Sequence, residues 1–167
     1  VRIGKDAPRL GAYGTLDELA AQLGLAEAML PSGPAAGAHR ALLLRLQHQL
    51  FTAMSELARA PSAGPPAHLL TGVHVAGLER EIDRLSGSVP PLTNFVLPRG
   101  SPGASATHVA RTVARRAERE LVRLHRIEPV REDLLKWLNR LSDLLFALAL
   151  VLNQEAGEPE IAPDYGT

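Results

Sequence analysis

From Pro102 to His125 the chain reads PGASATHVARTVARRAERELVRLH, and from Arg131 to Glu155 it reads REDLLKWLNRLSDLLFALALVLNQE. On a wheel of about 100° per residue, Ala110, Val113, Ala114, Ala117, Leu121 and Leu124 share one face of the first stretch. Leu134, Leu138, Leu141, Leu145, Leu148 and Leu152 form the same kind of stripe in the second. Both patterns have the period of a helix rather than the alternation of a strand, and each stripe needs other helices to cover it. Arg116, Glu120 and Arg123 lie roughly opposite the first stripe and are expected to face water.

Outward from these two stretches the chain keeps the same character. Leu and Ala dominate, aromatic residues make up only 4% and β-branched runs are few, so no sheet is expected. Breakers divide the remainder into three further helices, expected from about Tyr13 to Met29, Ala38 to Ala60 and Thr71 to Ser86. Pro31-Ser32-Gly33-Pro34 stops the first of these, and Pro61, Pro65 and Pro66 follow the second. Thr15 with Glu18 three residues on has the spacing of a capping box, so Thr15 is the expected N-cap. That start puts Asp17 and Glu18 in the first turn, at the positive end of the helix dipole. The stretch Ser88 to Gly100 contains Pro90, Pro91 and Pro98 and cannot be helix. Pro102 is a favourable first-turn proline, and the segment after Gly157 is polar and proline-containing. The expectation is an all-α fold: a five-helix bundle forming one domain over residues 1–167, with a polar tail from about 156.

Composition narrows the functional classes. A chain of 167 residues suits one domain, and roughly two-thirds of its unfolded surface would be buried. Lys+Arg and Asp+Glu are 18 each, and this zero balance argues against a general nucleic-acid binder. With no cysteine there are no disulfides, no thiolate zinc sites and no cysteine nucleophile, which fits a reducing, cytoplasmic setting. No apolar run approaches the roughly 18–20 residues of a membrane span, and no signal-peptide pattern is visible. The chain opens abruptly at Val1-Arg2-Ile3-Gly4, so sequence is expected ahead of it.

The polar residues on the two long helices are less bland. Arg111, Arg115 and Glu118, spaced i, i+4, i+7, border the apolar face of the fourth helix, where charges are partly desolvated and need partners. Two neighbouring guanidiniums suit phosphate or carboxylate, whose oxygens match their forked donors. The plainer alternative is an Arg115–Glu118 pair within the helix beside solvated arginines. Asn139 and Asp143 interrupt the fifth helix, with Ser142 and Phe146 beside them. Asn and Asp are poor mid-helix residues, so either a hydrogen bond between helices or a site is expected there. Asp17 either answers the helix dipole or supplies the anion that Arg111 or Arg115 needs. Phe95, one of three Phe, either caps the core or stacks on a flat ligand. Gly100 and Ser101 ahead of a helix can form an anion-binding turn. None of the six histidines makes a Glu-x-x-His or His-x-x-x-His pair, so no protein-held metal is expected. His108 reads as a satisfied structural histidine. Walker A and nucleophile-elbow motifs are absent.

Taken together, the run FVLPRGSPGASATHVARTVARRAERELV (Phe95 to Val122) and the later WLNRLSDLLFALAL (Trp137 to Leu150) resemble the PduO-type ATP:cob(I)alamin adenosyltransferases. GAYGTLDELAAQLG (Gly11 to Gly24), the stretch from Gln49 to Leu57, and Arg2 with Lys5-Asp6 and Pro8-Arg9 fit the same pattern. The resemblance implies a homotrimer with active sites between subunits, which transfers the 5′-deoxyadenosyl group of ATP to cob(I)alamin and releases triphosphate. ATP and cobalamin are then the ligands, Mg2+ accompanies the ATP, and a reductase is a further partner that the resemblance implies. Arg111, Arg115 and Glu118 match catalytic positions. They also match the ATP site, together with Lys5, Asn139 and Asp143. Asp17 matches an aspartate that pairs with Arg111 across the subunit interface, and Phe95 matches an aromatic at the lower face of the corrin. The family's Thr-Gly-Asp-x-Gly segment is not among these residues, Ala20 stands where the family has Asn, and Arg99 stands where it has Gly. These departures favour an alternative, a trimeric homologue that binds corrinoid or nucleotide without turnover.

Overall fold

Five α-helices carry the chain: α1 (Pro8–Ala28), α2 (Gly37–Ala58), α3 (Gly72–Ser86), α4 (Pro102–His125) and α5 (Glu132–Ala156), with a short 3-10 helix at Pro34–Ala36 ahead of α2. This is a computed structural model that describes residues 4–59, 63–64 and 66–166; among them there is no strand. The fold is therefore the expected all-α bundle.

α1 packs on α2 and α4, α4 on α5, and α5 on α3. α2 closes the other side through side chains: Trp137 on α5 donates from Nε1 to Gln49 Oε1 at 3.2 Å, and Arg45 donates to Glu81 on α3 at 3.2 Å. Both stripes read from the sequence are buried as expected. α5 goes further, because Trp137, Leu144 and Ala149 are also buried, which makes it the central helix. α1 lines up Ala12, Leu16, Leu19, Leu23 and Ala26, alternating steps of four and three, the spacing of a helix that meets its neighbours along one seam.

α1 begins five residues earlier than the expected Tyr13. Pro8 sits in its first turn, where a missing N–H does no harm, and burial of Ala12 and Leu16 carries the helix through Gly11 and Gly14. Thr15 is therefore not a cap: it lies mid-helix and donates from Oγ1 to Gly11 O at 2.8 Å. Asp17 and Glu18 likewise fall beyond the first turn, so the helix dipole does not account for them. Glu18 instead pairs with Arg116 on α4, while Asp17 is exposed. The other boundaries follow the sequence reading closely, except that the expected end of α2 at Ala60, with Pro61 and Pro65, lies outside the described residues, as does Arg2.

α4 and α5 run antiparallel in a fixed register: Ser101 meets Asn153, His108 meets Phe146, and Glu118 meets Asn139. At the C-terminal end of α4, Arg9 pairs with Glu128 and donates to Leu57 O at 2.6 Å, and Arg131 pairs with Glu56 at 2.9 Å. Among the described residues no helix is long and apolar enough to cross a membrane.

Candidate active site along the seam of α4 and α5

One half of the seam is an open cavity of about 840 Å³. Its walls include Phe95, His108, Arg111 and Phe146, with Ala162, Pro163 and Tyr165 from the tail. Phe95 is 82% exposed, so it does not cap the core; it lines this opening instead. Arg99 is exposed on the loop and is not among the residues that line this cavity. Ala20 is buried in the core, and the carbonyl of the same residue accepts from Gln47 at 2.9 Å.

His108 departs from the sequence reading. It is only 3% exposed, yet neither ring nitrogen has a hydrogen-bond partner. Its ring lies 6.1 Å from that of Phe146. Burial, helped by the charge of Arg111, lowers its pKa to about 4, so the imidazole is neutral at physiological pH. Arg111 is held by the same surroundings. Its guanidinium carbon sits 5.9 Å from the centroid of Phe146, and its buried Nε has no partner. Burial and then the charge of Arg115 pull its pKa below the ordinary value, although an arginine remains cationic in a protein.

The other half of the seam is polar. Arg115 is exposed and forms no pair with Glu118. Glu118 Oε1 instead accepts from Asn139 Nδ2 at 2.8 Å, the bond between helices that a mid-helix Asn called for. Arg140 donates to Asn139 Oδ1 at 2.9 Å and pairs with Asp143 at 3.1 Å. Arg111, Arg115, Glu118, Asn139 and Asp143 thus lie along one seam, and the cavity with Phe95 opens at the end where Arg111 sits.

Lys5 is not brought to this stripe within one chain, and Asp17 is exposed on α1 beside the Glu18 that pairs with Arg116. Lys5 is exposed just ahead of α1, near the end of the bundle where Arg9 meets Glu128. Arg111 lies about 20 Å back along α4, at 1.5 Å per residue from the end of that helix.

The anion-binding turn expected at Gly100-Ser101 is turned inward. Ser101 Oγ caps α4 by accepting from Ala104 N at 3.3 Å, and Ser101 N donates to Asn153 Oδ1 at 3.0 Å. Three features escaped the sequence reading: the place of Phe146 in the cavity wall, the role of Asn153, and the return of the tail over the loop through Leu97 N to Ile161 O at 2.8 Å. Asn153 carried a readable signal, an amide inside the leucine-rich stretch LALVLNQE. Among the described residues no three His, Asp or Glu side chains converge as a metal site.

The sequence profile of the cobalamin adenosyltransferase family matches residues 1–152. The chain belongs to this family. The corrinoid adenosyltransferase of Bacillus subtilis (strain 168) is 43% identical over 93% of this chain and 80% of that protein. The corrinoid adenosyltransferase PduO of Citrobacter freundii is 44% identical over 96% of this chain, which spans only 47% of that longer protein. A phenylalanine-to-alanine variant of the PduO-type ATP:corrinoid adenosyltransferase of Lactobacillus reuteri, solved with cobalamin and ATP, shares the fold with a TM-score of 0.89. It is 34% identical and aligns over 96% of this chain and 88% of that one. Family membership and fold likeness therefore agree with the five-helix architecture.

Proposed function

We propose that this chain transfers the 5′-deoxyadenosyl group of ATP to cob(I)alamin, giving adenosylcobalamin and triphosphate. The observation that carries this reading is the change of character along the seam, from an aromatic cavity walled by Phe95 and Phe146 to the stripe of Arg111, Arg115, Glu118 and Asn139. A broad, flat ring and a polyanion ask for those two surroundings side by side.

The electron pair of cobalt(I) attacks C5′ of ATP. The cobalt–carbon bond forms as the C5′–O bond breaks, and that bond's electron pair leaves with triphosphate. The nucleophile belongs to the cofactor, so the chain needs no activated Ser or Cys. Its own work is electrostatic. Arg111 and Arg115 stabilise the charge that grows on the leaving triphosphate, and such a donor is typically worth about a hundredfold or more in rate. Glu118 completes this catalytic set and is fixed by Asn139. Asn139 and Asp143 serve ATP binding from α5. Phe95 faces the lower side of the corrin, keeps water away and displaces the axial base, which makes cobalt(II) easier to reduce.

The donor set suits magnesium only as a passenger on ATP, because the carboxylate on the arginine stripe, Glu118, is already bonded to Asn139. Its positive charge would add to that of the arginines. The protein works as a homotrimer. Lys5, remote from the stripe in its own chain, reaches the phosphates of a neighbouring subunit's site. Asp17 pairs with Arg111 across that interface, which would bring an anion to the side chain whose buried Nε has no partner within one chain. Residues 1–167 act as one domain in the cytoplasm, supplied with cobalt(I) by a reductase.

An anaerobic assay of the full-length protein tests the proposal. ATP, magnesium and chemically reduced cobalamin are mixed with protein, and loss of the cobalt(I) absorbance is followed with chromatography for adenosylcobalamin. Product that depends on both protein and ATP is expected. Binding of ATP and corrinoid without product would assign the chain to the non-catalytic alternative. Arg115→Ala should lower turnover about a hundredfold or more with the fold intact, and unchanged turnover would remove Arg115 from the site.

A further inference from the structure

We infer that Asn153 is a positioning residue for the corrinoid half of the site, acting through the loop that presents Phe95. The inference rests on the adenosyltransferase reading above.

Asn153 is 1% exposed and sits near the end of α5 among leucines. A buried amide costs stability unless its hydrogen bonds are made, and here they are. Oδ1 accepts from Ser101 N at 3.0 Å, and Nδ2 donates to Arg99 O at 2.9 Å and to Glu160 Oε1 at 2.9 Å. One side chain thus joins the end of the Phe95 loop, the cap of α4 and the returning tail. Gly100, between the two tied backbone groups, has a φ of 125°, and a Cβ there would fall inside the Asn153 amide. The loop has been shaped around this side chain.

This matters because Phe95 cannot place itself. Its ring is 82% exposed, so little packing holds it. Its position is set by the backbone, and the backbone on its C-terminal side is tied at two points: Leu97 to Ile161 and Arg99 to Asn153. Both ties run to α5 or to the tail that Asn153 holds through Glu160. The polar half of the site is independent of this clamp. Arg115, Glu118 and Asn139 stand on regular helix, and Glu118 is about 25 Å along α4 from Ser101.

Asn153→Ala should therefore separate the two substrates. We expect the KM for cob(I)alamin to rise about tenfold or more, since small misplacements of a positioning group are costly, while the KM for ATP stays within about twofold. The absorption signature of bound cob(II)alamin lacking its lower ligand should weaken in parallel. Glu160→Ala, which removes a partner from the tail, should move the same ratio less, and Glu160→Gln, which keeps an acceptor, should restore it. If Asn153→Ala does not fold, the Glu160 pair decides. A wild-type chain that gives no product overturns the reading on which the inference rests. A wild type that turns over, with a folded variant whose two KM values rise together or do not move, overturns the clamp alone.

Discussion

Acid should destabilise this protein through His108, and the size of the effect follows from its surroundings. The imidazole is buried, both ring nitrogens lack partners and Arg111 is close, so its pKa falls from 6.5 to about 4. A histidine depressed in the folded state takes up protons more readily when unfolded, so falling pH favours the unfolded chain. The loss begins near pH 6.5 and stops growing below about 4. At 1.36 kcal/mol per pKa unit, the full shift amounts to about 3 kcal/mol, and roughly 2 kcal/mol of it is lost between pH 7.5 and pH 5. Urea unfolding at those two pH values, for wild type and for His108→Leu, would measure it. Other titrating groups act on both proteins, so the difference between the two pH dependences isolates His108. The variant should lose about 2 kcal/mol less than wild type between pH 7.5 and 5. Equal losses would show that His108 is protonated in the native state or has found a partner, and the argument from burial would fail.

Other expectations follow from the same geometry. Phe95→Ala should leave the free energy of unfolding within about 0.5 kcal/mol, because the ring is exposed, yet lower turnover with cob(I)alamin; a large stability loss would mean the ring packs after all. A double-mutant cycle of Glu118→Ala and Asn139→Ala should give a coupling of about 1–2 kcal/mol in unfolding experiments, as a charged hydrogen bond at 2.8 Å implies. Additive effects would refute that bond in solution. Leu148→Ala, at a fully buried position of the central helix, should cost about 2–5 kcal/mol by the same measurement, and a change below 1 would contradict its packing.

How far the fold can be read from the residues depends on the range of the interaction. The stripes of α4 and α5 were legible because a helical period appears within a single segment, and every residue assigned to them is buried. Thr15 misled because a Thr with Glu three residues on looks alike at a helix start and inside a helix; burial of Ala12 and Leu16 decides between them, and that depends on α2 and α4. The arginine stripe and Asn139 were legible as polar groups on borders where apolar ones were expected. Their partners were not. That Glu118 chooses Asn139 over Arg115 depends on how α4 and α5 are aligned. The orphaned nitrogens of His108 and the exposure of Phe95 are likewise properties of the assembled seam. Asn153 could have been flagged by the reasoning applied to Asn139, but its three partners come from a loop and a tail whose paths the residue pattern does not fix.

The register of α4 against α5 has an evolutionary corollary. Loops can lengthen cheaply, since each doubling adds only about 0.6 kcal/mol of closure entropy. The segments between Ser101 and Glu118 and between Asn139 and Asn153 have no such freedom. One inserted residue would swing everything beyond it by about 100° and displace it by about 1.5 Å. Asn153 would lose its loop while Asn139 kept Glu118, or the reverse. Natural variation in this site should therefore proceed by exchanging side chains at constant length, with gains and losses of residues confined to the connections between helices.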